Sequence, residues 1–116
     1  MASPVVHFEI CGKDEKSLRA FYKKIFGWKI AVDRKMNYGM VDTGGKARKL
    51  MGGIGGAMGQ GAWVTVYVQV PDTNKALKKI EKAGGRTLLP TTKVPGGPTI
   101  AQFADPEGNR IGLLQG

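Results

Sequence analysis

Three side chains that can bind a metal or move a proton occur close together near the start of the sequence. In the stretch VVHFEIC, His7, Glu9 and Cys11 occupy alternate positions. Successive side chains of a β-strand point to opposite faces of the sheet, so an extended backbone would place all three on one face. The pattern allows two interpretations: half of a metal site, or the polar side of a strand.

This stretch is part of an internal repeat. Residues 6–28 and 64–86 align without a gap, and each runs from an alternating strand through a turn with an aspartate to an amphipathic helix. The first helix should begin near Asp14, because its side chain can accept hydrogen bonds from the free amides of a first helical turn, and the second should begin around Asp72 or Thr73. Strand-like segments follow each helix, so the sequence predicts two βαβββ modules and an α+β fold.

Each predicted helix carries an apolar stripe at helical spacing. The spacing predicts that the following side chains face the core: Leu18, Phe21, Tyr22 and Ile25 in the first helix, and Ala76, Leu77, Ile80 and Ala83 in the second.

Length and composition narrow the class of protein. A chain of 116 residues is long enough for one domain, 1–116, whose modules we place at about 4–56 and 62–116, with a glycine-rich linker at about 52–62. The sequence contains neither an apolar run long enough to span a bilayer nor a secretory signal pattern. We therefore expect a cytoplasmic protein without a membrane partner.

The charge is strongly basic, with 18 Lys and Arg residues against 9 Asp and Glu residues. Many of the lysines lie in the two predicted helices, at positions outside the apolar stripes, where we expect them to face solvent. No nucleic-acid motif with interleaved aromatic residues occurs, so a nucleic-acid partner is not expected. A basic interaction module stays a minor alternative.

Five segments, taken in order, make the chain resemble the vicinal oxygen chelate superfamily, which includes glyoxalase I, bleomycin-resistance proteins and extradiol dioxygenases. The segments are HFEI at 7–10, FYKKIFGW at 21–28, GGI at 52–54, ALKKIEKAGG at 76–85 and FADPEGNRIGL at 103–113. The resemblance implies sheets that curl into a cup, with the helices on the convex side and a small-molecule ligand on the concave side. It also implies a homodimer.

Strand alternation gives the candidate ligand-binding residues. Thr65, Tyr67 and Gln69 share one side of the second lead strand, as His7 and Glu9 do in the first, and we take this to be the concave side. The predicted binding residues are His7, Glu9, Thr65, Tyr67, Gln69 and Trp63.

For metal-binding members, the resemblance implies ligands from the first and last strands of both modules, which makes four places. His7 fills one of these places in this sequence. Thr65 and Gly112 stand at the second-module places, and the remaining place falls near Gly53 to Gly55. Because a neutral hydroxyl is a poor ligand for a transition metal and glycine offers none, we expect no cofactor. A divalent metal held by His7 and Glu9 stays the alternative.

Two functions therefore remain open. The first is a protein that binds a small organic molecule over an incomplete metal site, as in the bleomycin-resistance proteins. The second is a metal-dependent lyase or isomerase, or a dioxygenase, in which His7 and Glu9 bind the metal or Glu9 acts as a general base. The residues do not decide between binder and enzyme, and they do not name the ligand.

Overall fold

The computed structural model describes residues 2–45, 50–57 and 61–116. Within these residues, two helices and eight strands follow the order βαβββ twice, which confirms the predicted α+β fold. The elements are β1 Val5–Gly12, α1 Glu15–Phe26, β2 Lys29–Asp33, β3 Tyr38–Asp42, β4 Met51–Gly56, β5 Trp63–Val70, α2 Thr73–Lys82, β6 Arg86–Lys93, β7 Thr99–Ala104 and β8 Arg110–Gln115. Neither helix is long and apolar enough to cross a membrane.

The chain divides into two compact units. The first unit is His7–Val64, and the second unit is Thr65–Gly116 together with the N-terminal residues up to Val6. We placed the start of the first module at residue 4, whereas the structure groups the residues before His7 with the second unit. There the amide of Gln69 donates a hydrogen bond of 2.9 Å to the carbonyl of Pro4.

Each unit contains a four-stranded sheet with the same pattern of pairing. The order is β2-β3-β4-β1 in the first unit and β5-β8-β7-β6 in the second. The lead strand of each unit runs parallel to the last strand of that unit, and the other pairs are antiparallel. This pairing places Glu9 beside Gly53 in the first unit and Tyr67 beside Gly112 in the second.

Both helices begin where the sequence predicts. The side chain of Asp14 accepts a hydrogen bond from the amide of Ser17, and Asp72 accepts one from Lys75. Helix α1 ends at Gly27, whose φ of 67° lies in the left-handed region that glycine tolerates best. These caps satisfy amides that have no partner inside the helix, so they fix the boundaries.

The two helices differ in how much they bury. In the second unit, Leu77 of α2 packs in a core cluster with Val70, Ala101 and Leu113. None of the twelve residues of α1, all of which the structure describes, is buried. Two residues of its predicted core stripe, Phe21 and Ile25, are each 54% exposed, so the prediction that they face the core is wrong.

The surface beneath α1 explains this difference. Leu18 reaches the sheet at Gly12, and the aliphatic part of Arg19 reaches it at Gly39. These glycines offer α1 no side chains to pack against, and Phe21 and Ile25 are left exposed.

Residues 52–56, where the predicted first module and the predicted linker overlap, belong to strand β4. The absence of side chains lets rings pack on both faces of this strand. A Cβ atom at Gly52 would overlap the ring of Phe8, and one at Gly53 would overlap Tyr38. Residues 58–60, which the prediction also assigned to the linker, lie outside the described residues.

The cap of α2 gives a direct test of this local analysis. We expect Asp72→Ala to lower the free energy of unfolding by about 1 kcal/mol, because the amide of Lys75 loses its acceptor. Asp72→Ser retains an N-capping oxygen and should recover most of the loss. Urea unfolding followed by circular dichroism measures both variants. Equal stability of the alanine variant and the parent protein would contradict the assignment.

Candidate functional site

The polar face of the first unit is the side of its sheet that points away from α1. Along β1, Gly12 lies against α1, whereas His7, Glu9 and Cys11 alternate with it and lie on the opposite side. Glu9 is 8% exposed and Cys11 is 4% exposed, while His7 is half-buried. The predicted sharing of one face by these three side chains is therefore confirmed.

Tyr38, the first residue of β3, connects two of these side chains. Its hydroxyl donates to Oε2 of Glu9 at 2.9 Å and lies 3.0 Å from Nε2 of His7. A phenol has one proton to donate, so with that proton directed at Glu9 the oxygen accepts from His7 Nε2–H. His7, Tyr38 and Glu9 thus form one hydrogen-bonded group, which we call the polar triad.

Burial sets the charge of the imidazole in this triad. Desolvation lowers the pKa of His7 below its usual value of 6.5, and the nearby negative charge of Glu9 opposes the shift only in part. His7 is therefore neutral at neutral pH, with its proton on Nε2.

Two methionines flank the polar triad on the same face. Met51 pairs with His7 across β1 and β4, and Met40 pairs with Gly53 across β3 and β4. Met40 is 47% exposed and Met51 is 40% exposed. The face therefore offers hydrogen-bonding groups next to adaptable apolar side chains.

The second unit carries a related arrangement. Nε2 of Gln102 donates to the hydroxyl of Tyr67 at 2.9 Å, and Nη1 of Arg110 donates to Oε1 of Gln102 at 2.6 Å. Tyr67 is 5% exposed, and its ring covers Gly112, where a Cβ atom would overlap it. Tyr67 is thus held by packing on one side and by hydrogen bonds at its tip.

The other predicted binding residues have different surroundings. The hydroxyl of Thr65 donates to the carbonyl of Arg110 at 2.6 Å, and this side chain is 4% exposed. Gln69 and Trp63 are half-buried.

The structure brings some of the predicted residues together. In the first unit, Tyr38 connects His7 and Glu9. In the second unit, Thr65 and Tyr67 lie next to residues of β8, namely Arg110 and Gly112. Ligand binding by any of them stays a prediction.

Comparison with known proteins decides the family. The sequence profile of the Glyoxalase/Bleomycin resistance protein/Dioxygenase superfamily matches residues 5–113. The chain belongs to this superfamily. No curated protein matches it.

Solved structures of the same fold support the assignment. Methylmalonyl-CoA epimerase from Streptomyces coelicolor, as a variant in complex with 2-nitronate-propionyl-CoA, is 14% identical with a TM-score of 0.66, and the alignment covers 99% of this chain and 98% of that one. The epimerase from Mycobacterium tuberculosis is 14% identical with a TM-score of 0.59, covering 96% and 86%. A superfamily member from Vibrio splendidus 12B01 is 15% identical with a TM-score of 0.63, covering 98% and 99%. At these low sequence identities, the similarity shows that the fold is shared.

Strand register relates the glycines that stand at the ligand places implied by the sequence resemblance. Gly53 pairs with Glu9 as Gly112 pairs with Tyr67, so Gly53 is the first-unit counterpart of Gly112. A tyrosine ring occupies the space above each of these glycines, and the proton of the Thr65 hydroxyl is already committed to a carbonyl. The residues present do not fit a four-ligand metal set. Within the described ranges, no three His, Cys, Asp or Glu side chains cluster closely enough to hold an ion.

The predicted binding residues do not include three polar and two apolar residues of these faces: Tyr38, Gln102, Arg110, Met40 and Met51. Tyr38 and Met40 occupy alternate positions of YGMVD, as His7 and Glu9 do in β1. Knowledge that β3 and β1 both lie next to β4 would therefore have placed Tyr38 and Met40 near His7 and Glu9. That pairing spans 31 residues between His7 and Tyr38, and strand alternation alone does not provide it.

The single histidine of the chain makes the charge of the triad measurable. We expect the His7 imidazole to titrate below 6.5 by NMR, because burial lowers its pKa. In Glu9→Gln the midpoint should fall further, since the charge that raises it is removed. The unfolded state then binds the proton more readily than the folded state, so stability should decline as pH falls through 6.5. A midpoint at or above 6.5 in the parent protein would contradict the assignment.

The tyrosine above Gly112 gives a second prediction. Gly112→Ala should destabilise the protein by about 1 to 3 kcal/mol, because the added Cβ overlaps a buried ring whose hydroxyl is held by Gln102. Gly45→Ala is the matched control, since a Cβ there meets nothing within 4 Å. Chemical unfolding compares the two. Similar stability of both variants would mean that Tyr67 is free to move aside.

Proposed function

We propose that this protein binds a small organic molecule on the polar face of its first unit, by hydrogen bonds to the polar triad and apolar contact with Met40 and Met51. Membership of the superfamily supports a small-molecule function in general. The observation that carries the proposal is Tyr38, which covers Gly53 and joins His7 to Glu9.

Tyr38 changes what this face can do chemically. A carboxylate at Gly53 would supply a charged metal ligand, whereas the phenol supplies a neutral hydroxyl at the centre of a hydrogen-bond network. The hydroxyl of Tyr38 hydrogen-bonds to both His7 and Glu9, and Tyr38 is half-buried. A ligand with an N–H or O–H group would join this hydrogen-bond network while its apolar part lies against the methionines, as is usual for small-molecule sites.

The first ligands to test are acyl-CoA thioesters. The Streptomyces coelicolor epimerase is described in complex with 2-nitronate-propionyl-CoA, and a related epimerase structure contains methylmalonyl-CoA. Carrying this substrate class to the present chain is part of the proposal.

An enzyme of the same fold is the second candidate function. It is favoured because the side chains of His7 and Glu9 both hydrogen-bond to the hydroxyl of Tyr38. In this candidate Glu9 is a general base for an isomerase or lyase, or the two side chains bind a metal. The contacts support it less well, because Glu9 is 8% exposed and its Oε2 already accepts from Tyr38. Proton abstraction requires the base to reach the substrate proton directly or through one water.

Calorimetric titration with propionyl-CoA and methylmalonyl-CoA, with free CoA as the comparison, tests the proposal. Tyr38→Phe keeps the ring above Gly53 and removes one hydroxyl, so we expect a three- to tenfold weaker Kd for a ligand that bonds to it. Met40→Ser should also weaken binding, whereas Met36→Ser should not, since Met36 is similarly exposed at 46% but lies in the turn between β2 and β3.

Chelation separates the two candidates. Binding that persists after dialysis against EDTA, with no turnover of either thioester, supports the binder. Binding that requires added zinc, nickel, iron or manganese, and that is lost in His7→Ala, would overturn it in favour of metal-dependent catalysis. Equal affinity of the parent protein and the Tyr38→Phe variant for the ligand would contradict the proposal that the polar triad binds it.

A further inference from the structure

The core of the second unit is open on one side. Its buried cluster of Val70, Leu77, Ala101 and Leu113 is bordered by apolar side chains that are only half-buried. Together, side chains from α2 and from the strands beneath it line a groove of about 260 Å³, which we call the α2 groove. Its apolar wall consists of Val68, Val70, Ala76, Ile80, Phe103 and Leu113.

The position of α2 on the sheet explains this groove. Glu81 of α2 accepts a hydrogen bond of 2.7 Å from the hydroxyl of Thr87 on β6, the strand at the opposite end of this unit's sheet from β5. One edge of α2 is therefore held near β6. On β5, Val68 shares the face of Val70, which packs against Leu77 of the helix. Val68 is nevertheless only half-buried, so α2 leaves part of β5 uncovered.

The charge beside the groove is positive. Lys79 is the one charged residue among the described residues that line it, and this lysine is exposed. A lysine in such a position covers apolar surface with its hydrocarbon stem and keeps its ammonium group in water. Lys75 lies one turn earlier on the same edge of α2. Glu81 is the acidic residue of α2, and it is bonded to Thr87 of β6. The groove edge of the helix therefore offers cations without a carboxylate from the same helix.

The volume of the groove limits the size of its occupant. An apolar protein cavity of about 150 Å³ holds a benzene ring, which has six carbons. In the same proportion, the 260 Å³ of the α2 groove correspond to roughly ten carbon atoms.

We infer that the α2 groove binds a medium-chain aliphatic carboxylate of roughly eight to ten carbons. The hydrocarbon chain lies against the apolar wall, and the carboxylate lies at the groove edge beside the ammonium group of Lys79. Burial of the chain supplies most of the affinity, because apolar surface leaves water on both partners. The charge supplies the selectivity.

Charge complementarity favours a carboxylate over other molecules of the same size. An uncharged alcohol gains the same apolar burial but leaves the ammonium group without a counter-ion, and an amine is repelled by it. Since an exposed ion pair is weak, the preference for the carboxylate over the alcohol should be about three- to fivefold.

The inference goes beyond the proposed function and does not depend on it. The groove lies within the second unit, whereas the polar triad belongs to the first. Tyr38→Phe should therefore leave carboxylate binding unchanged, and a failure to bind thioesters on the polar face would not affect the groove.

An NMR titration of ¹⁵N-labelled protein with octanoate, octan-1-ol and octylamine, each below its micelle-forming concentration, tests the inference. Octanoate should shift amide signals of α2, β5, β7 and β8 in a saturable way, octanol should bind more weakly, and octylamine should bind most weakly. Acetate, which lacks the chain, should give no saturable shift. The absence of saturable shifts with octanoate, shifts confined to β1 and β3, or equal affinity for octanoate and octanol overturns the inference.

Charge variants test the role of Lys79. Lys79→Gln should weaken octanoate binding about three- to fivefold and leave octanol binding unchanged. Lys78→Gln is the matched control, because it removes the same charge two positions from both Ala76 and Ile80, about 200° around the helix and away from the groove. It should change octanoate affinity less than twofold. Equal effects of the two lysine variants overturn the placement of the carboxylate.

A groove-filling variant tests the position of the chain. Ala76→Leu keeps a good helix former and extends a side chain into the groove, so the affinities for octanoate and octanol should both fall at least tenfold. Ala20→Leu, at an exposed position of α1, is the control and should bind both ligands like the parent protein. Urea unfolding checks that both variants are folded. Parent-like octanoate binding by a folded Ala76→Leu variant overturns the inference.

Discussion

The packing of a tyrosine ring over a glycine is the constraint on which the polar faces of this protein depend. It occurs in both units, with Tyr38 over Gly53 and Tyr67 over Gly112. A ring and a carboxylate side chain cannot occupy the same space above the sheet. Each pair therefore leaves no room for a carboxylate side chain at a place where the sequence resemblance implies one, and it brings a neutral hydroxyl to the same region.

The hydroxyls of the two tyrosines form hydrogen bonds with neighbouring side chains. Tyr38 joins an imidazole to a carboxylate that is almost inaccessible to water, whereas Tyr67 is the end of a chain that runs through Gln102 to Arg110. Buried polar groups need partners, because an unmet hydrogen bond in a low-dielectric interior is costly. The networks therefore hold both tyrosines in place.

Glycines in the sheet also explain why two similar helices behave differently. Helix α2 inserts Leu77 into a core of aliphatic side chains, whereas α1 rests on Gly12 and Gly39 through parts of Leu18 and Arg19. A glycine offers no side chain for the helix to pack against. Phe21 and Ile25 are left exposed, although their spacing is that of core residues.

Local patterns in the sequence determined the starts of the two helices and the shared face of His7 and Glu9, because each depends on residues close together in the chain. The repetition and order of such patterns along the chain determined the two modules and the superfamily. Only the tertiary structure decided that Tyr38 joins these two side chains, 31 and 29 residues away, and that Gly53 is the counterpart of Gly112. It also decided which side chains of α1 contact the sheet and which apolar ones are exposed. Strand register and the shape of the opposing surface settle such questions, since side-chain spacing fixes the direction in which a residue points but not what it meets there.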